Sequence, residues 1–460
     1  MSNTYLSRTT DASGNSNQKK WTLSAWVKRS KLGAHQMIMA GGAGSYYTHL
    51  YFRSDDKFAV YNHANSGSHN YEGVTSSVYR DTNAWYHIVI RSDTANSTAG
   101  ERCRFYVNGE QVTLSANPSQ NINYELTGAN NPMQIGVRLA PSTGDYFDGS
   151  MSHIHFCDEQ SYAPTEFGET DTTTGEWKIK TSPSVTYGNH GFFILKDTNS
   201  GTDQSGQSHN FAISGTLTKT EDCPSNVFST WNSLLSYGST MSLANGNTTG
   251  NTSSSHEGGK FLSFYTSLGM TSGKYYAEFK ITSNANQSLI GISSNFEDDI
   301  LGSSSSAYNF IYKGNGWGYS GANGKIFHTN SNTQMTYGNS LSNNDILGVA
   351  LDLDNLKLYF SKNGTFQNSA NPVTGSGDVV SAGAKALNGS GSTGTYFFSC
   401  ADTDQSAVCN IQANFGNGYF GTTAITTNSG NGYSGAEGSS KFNYTVPSGY
   451  SALSTKGLNE

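Results

Sequence analysis

Charge, proline and cysteine are all scarce in this chain of 460 residues. Charged residues make up 13%, about half the share typical of soluble proteins, and there are 8 prolines and 5 cysteines. No cysteines form a CxxC pair and no histidine lies at finger spacing, which argues against a zinc site and a dense disulfide framework. Cys400 and Cys409 flank a short polar stretch. The sequence leaves two alternatives for them, a disulfide across a hairpin or two free thiols.

Long apolar runs and helical repeats are also missing. No run approaches the roughly 18 residues of a membrane span, so we expect no membrane insertion. The N-terminal stretch MSNTYLSRTTDASGN lacks the apolar segment of a secretory signal, so we expect folding in the cytoplasm without export by that route. The net charge of −7 and the short basic clusters argue against nucleic acid as a partner. The sequence contains no heptad repeat, so it does not predict a helical shaft.

The chain is rich instead in glycine and aromatic residues, with 52 Gly, 27 Tyr and 23 Phe. WTLSAWVKRS (21–30) and AWYHIVIRSD (84–93) have the two-residue periodicity of strands. Asn108-Gly109 and Asn363-Gly364 are dipeptides that favour tight hairpin turns. Because such strands recur with turn signals between them, the sequence predicts an all-β protein built from antiparallel sandwiches.

Changes of composition divide the chain into four segments. We expect a first β-sandwich over 1–220, a polar connector over 221–257, a second β-sandwich over 258–420 and a Gly/Ser-rich C-terminal segment over 421–460. The total length alone predicts two to four domains.

Each sandwich carries motifs of a known family. WTLSAWVKRS, AWYHIVIRSDT, RFYVNGEQV and FDGSMSHIHFCD, in that order, resemble a laminin-G/pentraxin-type concanavalin A-like domain. GKYYAEFKI, IGISS, GWGY, DILGVALDLDNLKLYFSKNG and ANFG resemble a SPRY (B30.2-like) domain. The two resemblances imply two antiparallel, jelly-roll-like β-sandwiches, the concanavalin A-like one first.

The combination of modules carries a further resemblance. With YLSRT near the start, EFGETDTTTGEW in the middle and VPSGYSAL near the end, it is similar to virion structural proteins of tailed phages from marine bacteria. This implies a non-enzymatic tail-fibre-like or capsid-surface protein, folded in the host cytoplasm, released by lysis and displayed on the virion surface. Its expected partners are other virion proteins, host-surface glycans and further copies of itself.

Two other functions stay open at this point. One is a polysaccharide-degrading depolymerase or glycoside hydrolase on the concanavalin A-like module, and the other is a bacterial adhesin. Fold alone does not decide between them and a virion protein.

The strongest candidates for catalysis are Asp352 and Asp354, which alternate on a predicted strand about 6.5–7 Å apart. Paired carboxylates are typical of glycosidases. Concanavalin-like glucanases carry a third acid on the same strand, but Ala350 stands there. Asp354-Asn355 is instead a good turn dipeptide, and Lys357 follows on the returning strand as a cross-strand partner for an aspartate. We therefore predict a hairpin, no catalytic residues and no enzyme activity.

Metal sites have only weak candidates. His153 and His155 alternate on one strand without a third ligand, so an exposed strand face is the expected explanation. The acidic stretches 296–300 (FEDDI) and 145–148 (DYFD) have the carboxylates that loops use for Ca²⁺. Solvated acidic loops are the alternative, so we expect no cofactor and leave only Ca²⁺ open.

Ligand contact is predicted at Tyr46 and Tyr47. Both lie in the glycine-rich loop GGAGSYYTH, where side chains can face solvent. Four tryptophans stand instead in alternating strand patterns and are expected in the core: Trp21, Trp26, Trp85 and Trp317.

Overall fold

A computed structural model describes these residues of the chain: 3–12, 17–64, 69–180, 182–196, 200–234, 242–252, 263–294, 309–312, 315–328, 334–389, 392–402, 408–426 and 440–459. The chain divides into two compact units, residues 1–219 and 220–460. Each unit contains two mainly antiparallel sheets, which confirms the predicted all-β class. None of the described helices has the length and apolar composition needed to cross a membrane.

The first unit is a sandwich of a larger and a smaller sheet. Its described strands are β1 (Tyr5–Thr9), β2 (Lys20–Arg29), β3 (Gln36–Ala43), β4 (Tyr46–Phe52), β5 (Lys57–Ala64), β6 (His69–Val78), β7 (Tyr86–Asp93), β8 (Cys103–Val107), β9 (Glu110–Val112), β10 (Pro132–Ile135), β11 (Gly149–Asp158), β12 (Gly168–Thr170), β13 (Trp177–Ile179), β14 (Phe192–Ile194) and β15 (Ala212–Ser214). They form a seven-stranded sheet, β15-β1-β10-β3-β4-β5-β6, a six-stranded sheet, β14-β11-β2-β7-β8-β9, and a separate β12-β13 hairpin.

Two-residue periodicity decides which side chains fill the first core. Leu50 and Phe52 of β4, with Phe58 and Val60 of β5, are fully buried on one face of the seven-stranded sheet. Phe58 packs on Phe105 of β8 in the six-stranded sheet, with ring centroids 4.8 Å apart. The core therefore lies between the two sheets, and the residues between these positions project from the outer face.

The outer face of the six-stranded sheet is covered by the chain itself. Phe167 and the β12-β13 hairpin pack there, with Phe167 in a buried cluster that includes Val89 of β7. Trp177 of β13 lies against Gly109 and Gly168, where an added Cβ would come within 2.7 and 2.4 Å of its ring. Only glycine leaves room for the indole at these two positions.

The second unit has the same plan. Its described strands are β16 (Ser242–Ala244), β17 (Thr249–Asn251), β18 (Ser263–Tyr265), β19 (Lys274–Ser283), β20 (Ser288–Ser293), β21 (Gly316–Ser320), β22 (Lys325–His328), β23 (Gln334–Thr336), β24 (Ile346–Asp352), β25 (Lys357–Lys362), β26 (Thr365–Phe366), β27 (Phe397–Asp402), β28 (Asn410–Asn414), β29 (Tyr419–Phe420), β30 (Thr423–Ala424) and β31 (Ser451–Ala452). One sheet runs β16-β17-β28-β19-β24-β25-β26, with β31 parallel to β19, and the other runs β18-β27-β20-β21-β22-β23. A short helix, α1, spans Asn309–Tyr312.

The predicted Asn-Gly hairpin turns are confirmed in both units. Asn108 and Gly109 have φ values of 49° and 85°, and Asn363 and Gly364 have 49° and 82°. Each pair forms a two-residue loop, between β8 and β9 and between β25 and β26. Two successive positive φ angles are the requirement that selects this dipeptide.

The expected connector and C-terminal segment both contribute to the second sandwich. Trp231, inside the expected connector 221–257, is fully buried and packs on Phe279 and Phe415 of the core. Phe442, inside the segment 421–460, packs on the outer face of the β19 sheet. The few apolar anchors in these segments are diluted by Asn, Ser, Thr and Gly, which is why composition alone indicated a connector and a tail.

A buried carboxylate ties the C-terminal segment to the sheet. Glu278 of β19 accepts hydrogen bonds from the backbone N–H groups of Asn443 (2.7 Å) and Tyr444 (2.8 Å). Asn414 Nδ2 and the Tyr276 hydroxyl also donate to it, both at 3.3 Å. Burial raises the pKa of Glu278 to about 7, although these four donors favour the carboxylate.

We expect Glu278 to make the second unit less stable as the pH rises. The folded-state pKa of Glu278 lies above its ordinary value of 4.5. The contribution of Glu278 to the free energy of unfolding is therefore complete below pH 4.5, and it is lost as the pH rises through about 7. The difference between about pH 5 and about pH 8 is on the order of 3 kcal/mol. Hydrogen exchange in a urea series, followed on peptides covering 274–283 and 440–452, gives the free energy of unfolding of this region at each pH.

Two variants separate this group from the rest of the chain. Glu278→Gln removes the ionisation at similar volume, so its pH response should be smaller than that of the wild type by that amount. Glu221→Gln is the matched control, because Glu221 pairs at the surface with Lys441 of the same segment. An equal pH response in wild type and Glu278→Gln would contradict the assignment.

Candidate functional site

A group of tyrosine and histidine side chains lies on the outer face of the seven-stranded sheet. Alternation along β4 places Tyr47, His49 and Tyr51 opposite the core residues of that strand. The register pairs Tyr47 with His63 and His49 with Tyr61 of β5. We call these five residues the aromatic cluster.

Four of the five rings of the aromatic cluster are packed nearly parallel, and Tyr51 is the exception. Tyr47 lies 4.8 Å from His63 at an interplanar angle of 3°, and 4.5 Å from His49 at 21°. Tyr61 lies 6.2 Å from Tyr47, also at 21°. Tyr51 meets His49 edge-on at 6.4 Å. The contacts of Tyr47 with His63 and Tyr61 join two strands, and such cross-strand ring pairs stabilise the sheet.

Backbone carbonyl groups orient the two imidazoles. His49 Nε2 is 3.1 Å from the carbonyl oxygen of Ala140, and His63 Nδ1 is 2.8 Å from that of Ser45. Because a carbonyl only accepts, each of these ring nitrogens carries the proton. Burial lowers the pKa of His49 to about 4, and nearby Arg138 acts in the same direction. His49 is therefore neutral at pH 7.

Charged side chains beside the aromatic cluster are held in ion pairs. Arg53 contacts Glu72 at 2.7 Å and Asp55 at 3.3 Å, and Arg138 contacts Asp145 at 2.8 Å. Burial raises the pKa of Tyr51 to about 12, with Glu72 adding to the shift. The Tyr51 hydroxyl group is therefore a protonated donor at neutral pH.

An amide on the same face has no bonding partner among the described residues. Gln134 of β10 is buried, and its Nε2 donates to none of the side chains or carbonyls in that part of the chain. The register aligns Gln134 with Ala40 of β3, and Ala40 with His49. A buried donor of this kind is commonly satisfied by an ordered water molecule.

The predicted ligand residues fall into different positions. Tyr47 belongs to the aromatic cluster, whereas Tyr46 projects from the other side of β4 and is 47% exposed. The sequence prediction missed His49, Tyr61 and His63. Their signal was the alternation of rings in YYTHLYF and AVYNH, but joining the two stretches requires the register of β4 with β5.

Asp352 and Asp354 do not share a strand face. β24 ends at Asp352, which is buried and forms an ion pair with Lys274 at 2.8 Å. Asp354 lies in the following turn and accepts a hydrogen bond from the Gly273 N–H at 2.8 Å. Lys357 stands opposite Asp352 as predicted, but its Nζ lies near the carboxylate of Asp378. Asp352 therefore pairs with Lys274 and not with Lys357 as expected.

The chemistry of Asp352 opposes a role as a general acid. Burial favours its protonated form, but Lys274 and two hydrogen bonds from Asn355 outweigh burial and lower the pKa of the carboxyl below its ordinary value. A glycosidase acid needs the opposite shift.

His153 and His155 are separated by a bulge. His153 has a φ of 48°, and the register of β11 shifts between Ser152 and His155. His155 is buried against Phe193, with ring centroids 3.8 Å apart, and bonds to the Tyr187 hydroxyl. The expected exposed face is therefore wrong for His155. Within the described residues, no three His, Cys, Asp or Glu side chains gather as a metal would require.

The candidate calcium stretch 145–148 does not gather three acidic side chains among the described residues. Asp145 is paired with Arg138, and burial raises the pKa of Asp148. The stretch 296–300 lies outside the described residues.

Both cysteines of the possible hairpin disulfide are free thiols. Cys400 and Cys409 are buried in the core of the second unit. Burial raises the pKa of both, so they remain protonated and unreactive.

A serine–histidine pair in the first unit is not arranged for catalysis. Ser24 Oγ lies 2.9 Å from Nε2 of buried His87, and Trp177 Nε1 donates to His87 Nδ1 at 2.8 Å. Because Nδ1 accepts, the proton of the neutral ring is on Nε2, which donates to the serine. Burial also lowers the pKa of His87 to about 3, so it cannot serve as a base for Ser24.

Comparison with protein families matches both units. Residues 2–161 match the concanavalin A-like lectin/glucanases superfamily, and residues 274–379 match the SPRY domain. The chain contains a concanavalin A-like domain and a SPRY domain. Both sandwich resemblances drawn from the strand motifs are confirmed.

Solved structures resemble parts of the chain. The SPRY domain of human HERC1 has 16% identity and a TM-score of 0.28, covering 40% of this chain and 96% of that one. A SAP-like pentraxin from Limulus polyphemus has 13% identity and a TM-score of 0.28, covering 42% and 89%. The CBM40 of Ruminococcus gnavus IT-sialidase, bound to α2,3-sialyllactose, has 16% identity and a TM-score of 0.26, covering 32% and 80%. TM-scores of this size carry no conclusion on function. No curated protein matches the chain.

We expect Asp352→Asn to destabilise the SPRY domain by about 1–3 kcal/mol, because it weakens the ion pair with Lys274 and the bonds from Asn355. The folded-state pKa lies below the ordinary value of 3.8, so this contribution is present above that pH and is lost as the pH falls through the folded pKa. Denaturant unfolding at neutral and acidic pH measures both effects.

Asp354→Asn is the matched control. Its amide oxygen can still accept from the Gly273 N–H, so the change in unfolding free energy should be under about 0.5 kcal/mol. Loss of a polysaccharide-cleaving activity in Asp352→Asn without loss of stability would contradict the structural role.

Proposed function

We propose that this chain is a non-enzymatic glycan-binding protein whose aromatic cluster contacts the sugar. The observation that carries the proposal is the parallel packing of Tyr47 with His49 and His63 on a sheet face outside the core. The match of this unit to a superfamily of lectins and glucanases supports the same ligand class.

The cluster offers the two kinds of contact that sugars need. Tyrosine rings present apolar surface to the C–H groups of a pyranose, and phenol and imidazole groups bond to its hydroxyls. Tyr47 and Tyr61 are both partly exposed, and strands β4 and β5 hold them in place. The site can therefore bind with little loss of conformational entropy.

Binding without chemistry is supported by the state of the nearby carboxylates. Glu72 and Asp145 are engaged by Arg53 and Arg138. A glycosidase needs two carboxyl groups placed on either side of the scissile bond, one of them with a raised pKa. Asp352, the earlier candidate, has a lowered pKa.

The finer proposal places this binding on a virion. The order of modules, with YLSRT, EFGETDTTTGEW and VPSGYSAL, supports a tail-fibre-like or capsid-surface protein of a tailed phage. In that setting the chain forms a symmetric homo-oligomer, contacts other virion proteins and binds host-surface glycans.

Tyr47→Ala should weaken glycan binding about 30-fold, because removing an aromatic anchor at a binding surface costs about 2 kcal/mol. Tyr61→Ala should act in the same direction. An array of purified bacterial surface polysaccharides identifies a binder, and titration calorimetry with its oligosaccharide measures the change.

Tyr419→Ala in the SPRY domain is the matched control, since Tyr419 is also partly exposed. It should bind like the wild type. Binding unchanged in Tyr47→Ala and Tyr61→Ala, with both variants folded by circular dichroism, would remove the cluster as the site.

Electron microscopy tests the virion proposal separately. An antibody against the chain should label the tail or the capsid of particles of the phage whose genome encodes it. Unlabelled particles would refute the virion assignment and leave glycan binding untouched.

A further inference from the structure

We infer that the aromatic cluster selects neutral glycans and excludes acidic ones, because the arginines beside it are neutralised by carboxylates of the same surface. The inference rests on the proposed glycan binding and names the class of sugar. It depends on the charges around the rings and not on the rings themselves.

An acidic sugar needs a cation at its binding site. Uronates, sialates and sulfated sugars are bound most strongly through charge-assisted hydrogen bonds, often two parallel bonds from one guanidinium group. A carboxylate that enters a site without such a donor loses its hydration without compensation. The available cations therefore decide between acidic and neutral ligands.

Two arginines and two carboxylates act on the rings of Tyr51 and His49. Arg53, Glu72 and Asp145 influence Tyr51, and Arg138 influences His49. These four charges sum to zero, and Asp55, which also contacts Arg53, adds one negative charge. The field at the aromatic cluster therefore does not favour an anion.

Each arginine already has a carboxylate partner at one or two of its guanidinium nitrogens. The Nη1 of Arg53 bonds to Glu72 at 2.7 Å and its Nε to Asp55 at 3.3 Å. The Nε of Arg138 lies 2.8 Å from Asp145. An acidic sugar that approached either guanidinium group would meet the carboxylate already paired there, and the negative charge of that carboxylate opposes a second anion.

The arginines are also fixed by local structure. Asp55 accepts the backbone N–H of Lys57 as well, so it is part of the turn before β5. The backbone of Asp145 accepts from the N–H of Met37, and Arg138 forms a backbone bridge with Gly144. The pairing is therefore set by the fold and does not depend on free side-chain rotation.

The test compares neutral and acidic hexasaccharides on the full chain. Neutral probes are the hexamers of β-1,4-glucose, β-1,3-glucose, α-1,6-mannose and β-1,4-N-acetylglucosamine. Acidic probes are hexamannuronate, hexagalacturonate and α2,8-linked hexasialic acid. We expect at least one neutral probe to bind, with loss of binding in Tyr47→Ala, and no acidic probe to bind at the same concentration.

A double variant, Asp55→Asn/Glu72→Gln, removes both negative partners of Arg53 and keeps hydrogen-bond acceptors of similar size. It should gain affinity for an acidic hexamer by about tenfold or more, the size of a charge-assisted hydrogen bond. Affinity for the neutral probe should stay within about twofold of the wild type. Glu169→Gln is the control, because Glu169 pairs with Lys178 on the hairpin that packs on the other sheet.

Each outcome bears on one proposal. Acidic probes that bind the wild type as well as neutral ones, and lose binding in Tyr47→Ala, would overturn the neutral selection but not glycan binding. No gain of acidic binding in the double variant, with that variant folded, would overturn the role of the paired arginines. Failure of every probe to bind at the aromatic cluster would refute the proposed function itself.

Discussion

Side-chain alternation along paired strands is the constraint on which the rest of this structure depends. On β4, Leu50 must face the core, and this fixes His49 and Tyr51 on the outer face. A slip of one residue between β4 and β5 would expose the buried row and bury the rings. Hydrophobic burial in the core therefore holds the aromatic cluster in register, although none of its rings belongs to that core.

The outer faces of the sheets are treated in different ways. In the concanavalin A-like domain, Trp177 and its hairpin cover the outer face of the six-stranded sheet. In the second unit, Phe442 and Tyr450 cover the outer face of the β19 sheet, and Glu278 binds the backbone next to Phe442. The aromatic cluster keeps partly exposed rings instead. A protein that covers apolar outer surface elsewhere leaves rings partly exposed here, and this contrast supports the proposed ligand site.

Features encoded by neighbouring residues could be predicted from the sequence. The strands, the Asn-Gly turns and the two sandwich families all follow from short motifs. The same local logic explained Asp354 as a turn residue. Features that join distant segments could not be predicted. Lys274, the partner of Asp352, is 78 positions away in the sequence and lies on another strand. The aromatic cluster needed the pairing of β4 with β5, and Trp231 was hidden by the polar composition around it.

The shape of the site also determines how it must act. A ligand lying on a sheet face, with drug-sized ligand efficiency of about 0.3 kcal/mol per heavy atom, gains on the order of 3 kcal/mol from one hexose. One such contact corresponds to a dissociation constant of millimolar order or weaker. Attachment to a cell surface through such a face requires several copies that bind together, and linked copies raise the overall affinity by about 10²–10⁴. In the proposed function, a symmetric homo-oligomer would supply those copies without any change in the site, so the proposed glycan binding and the proposed oligomer form one functional requirement and not two.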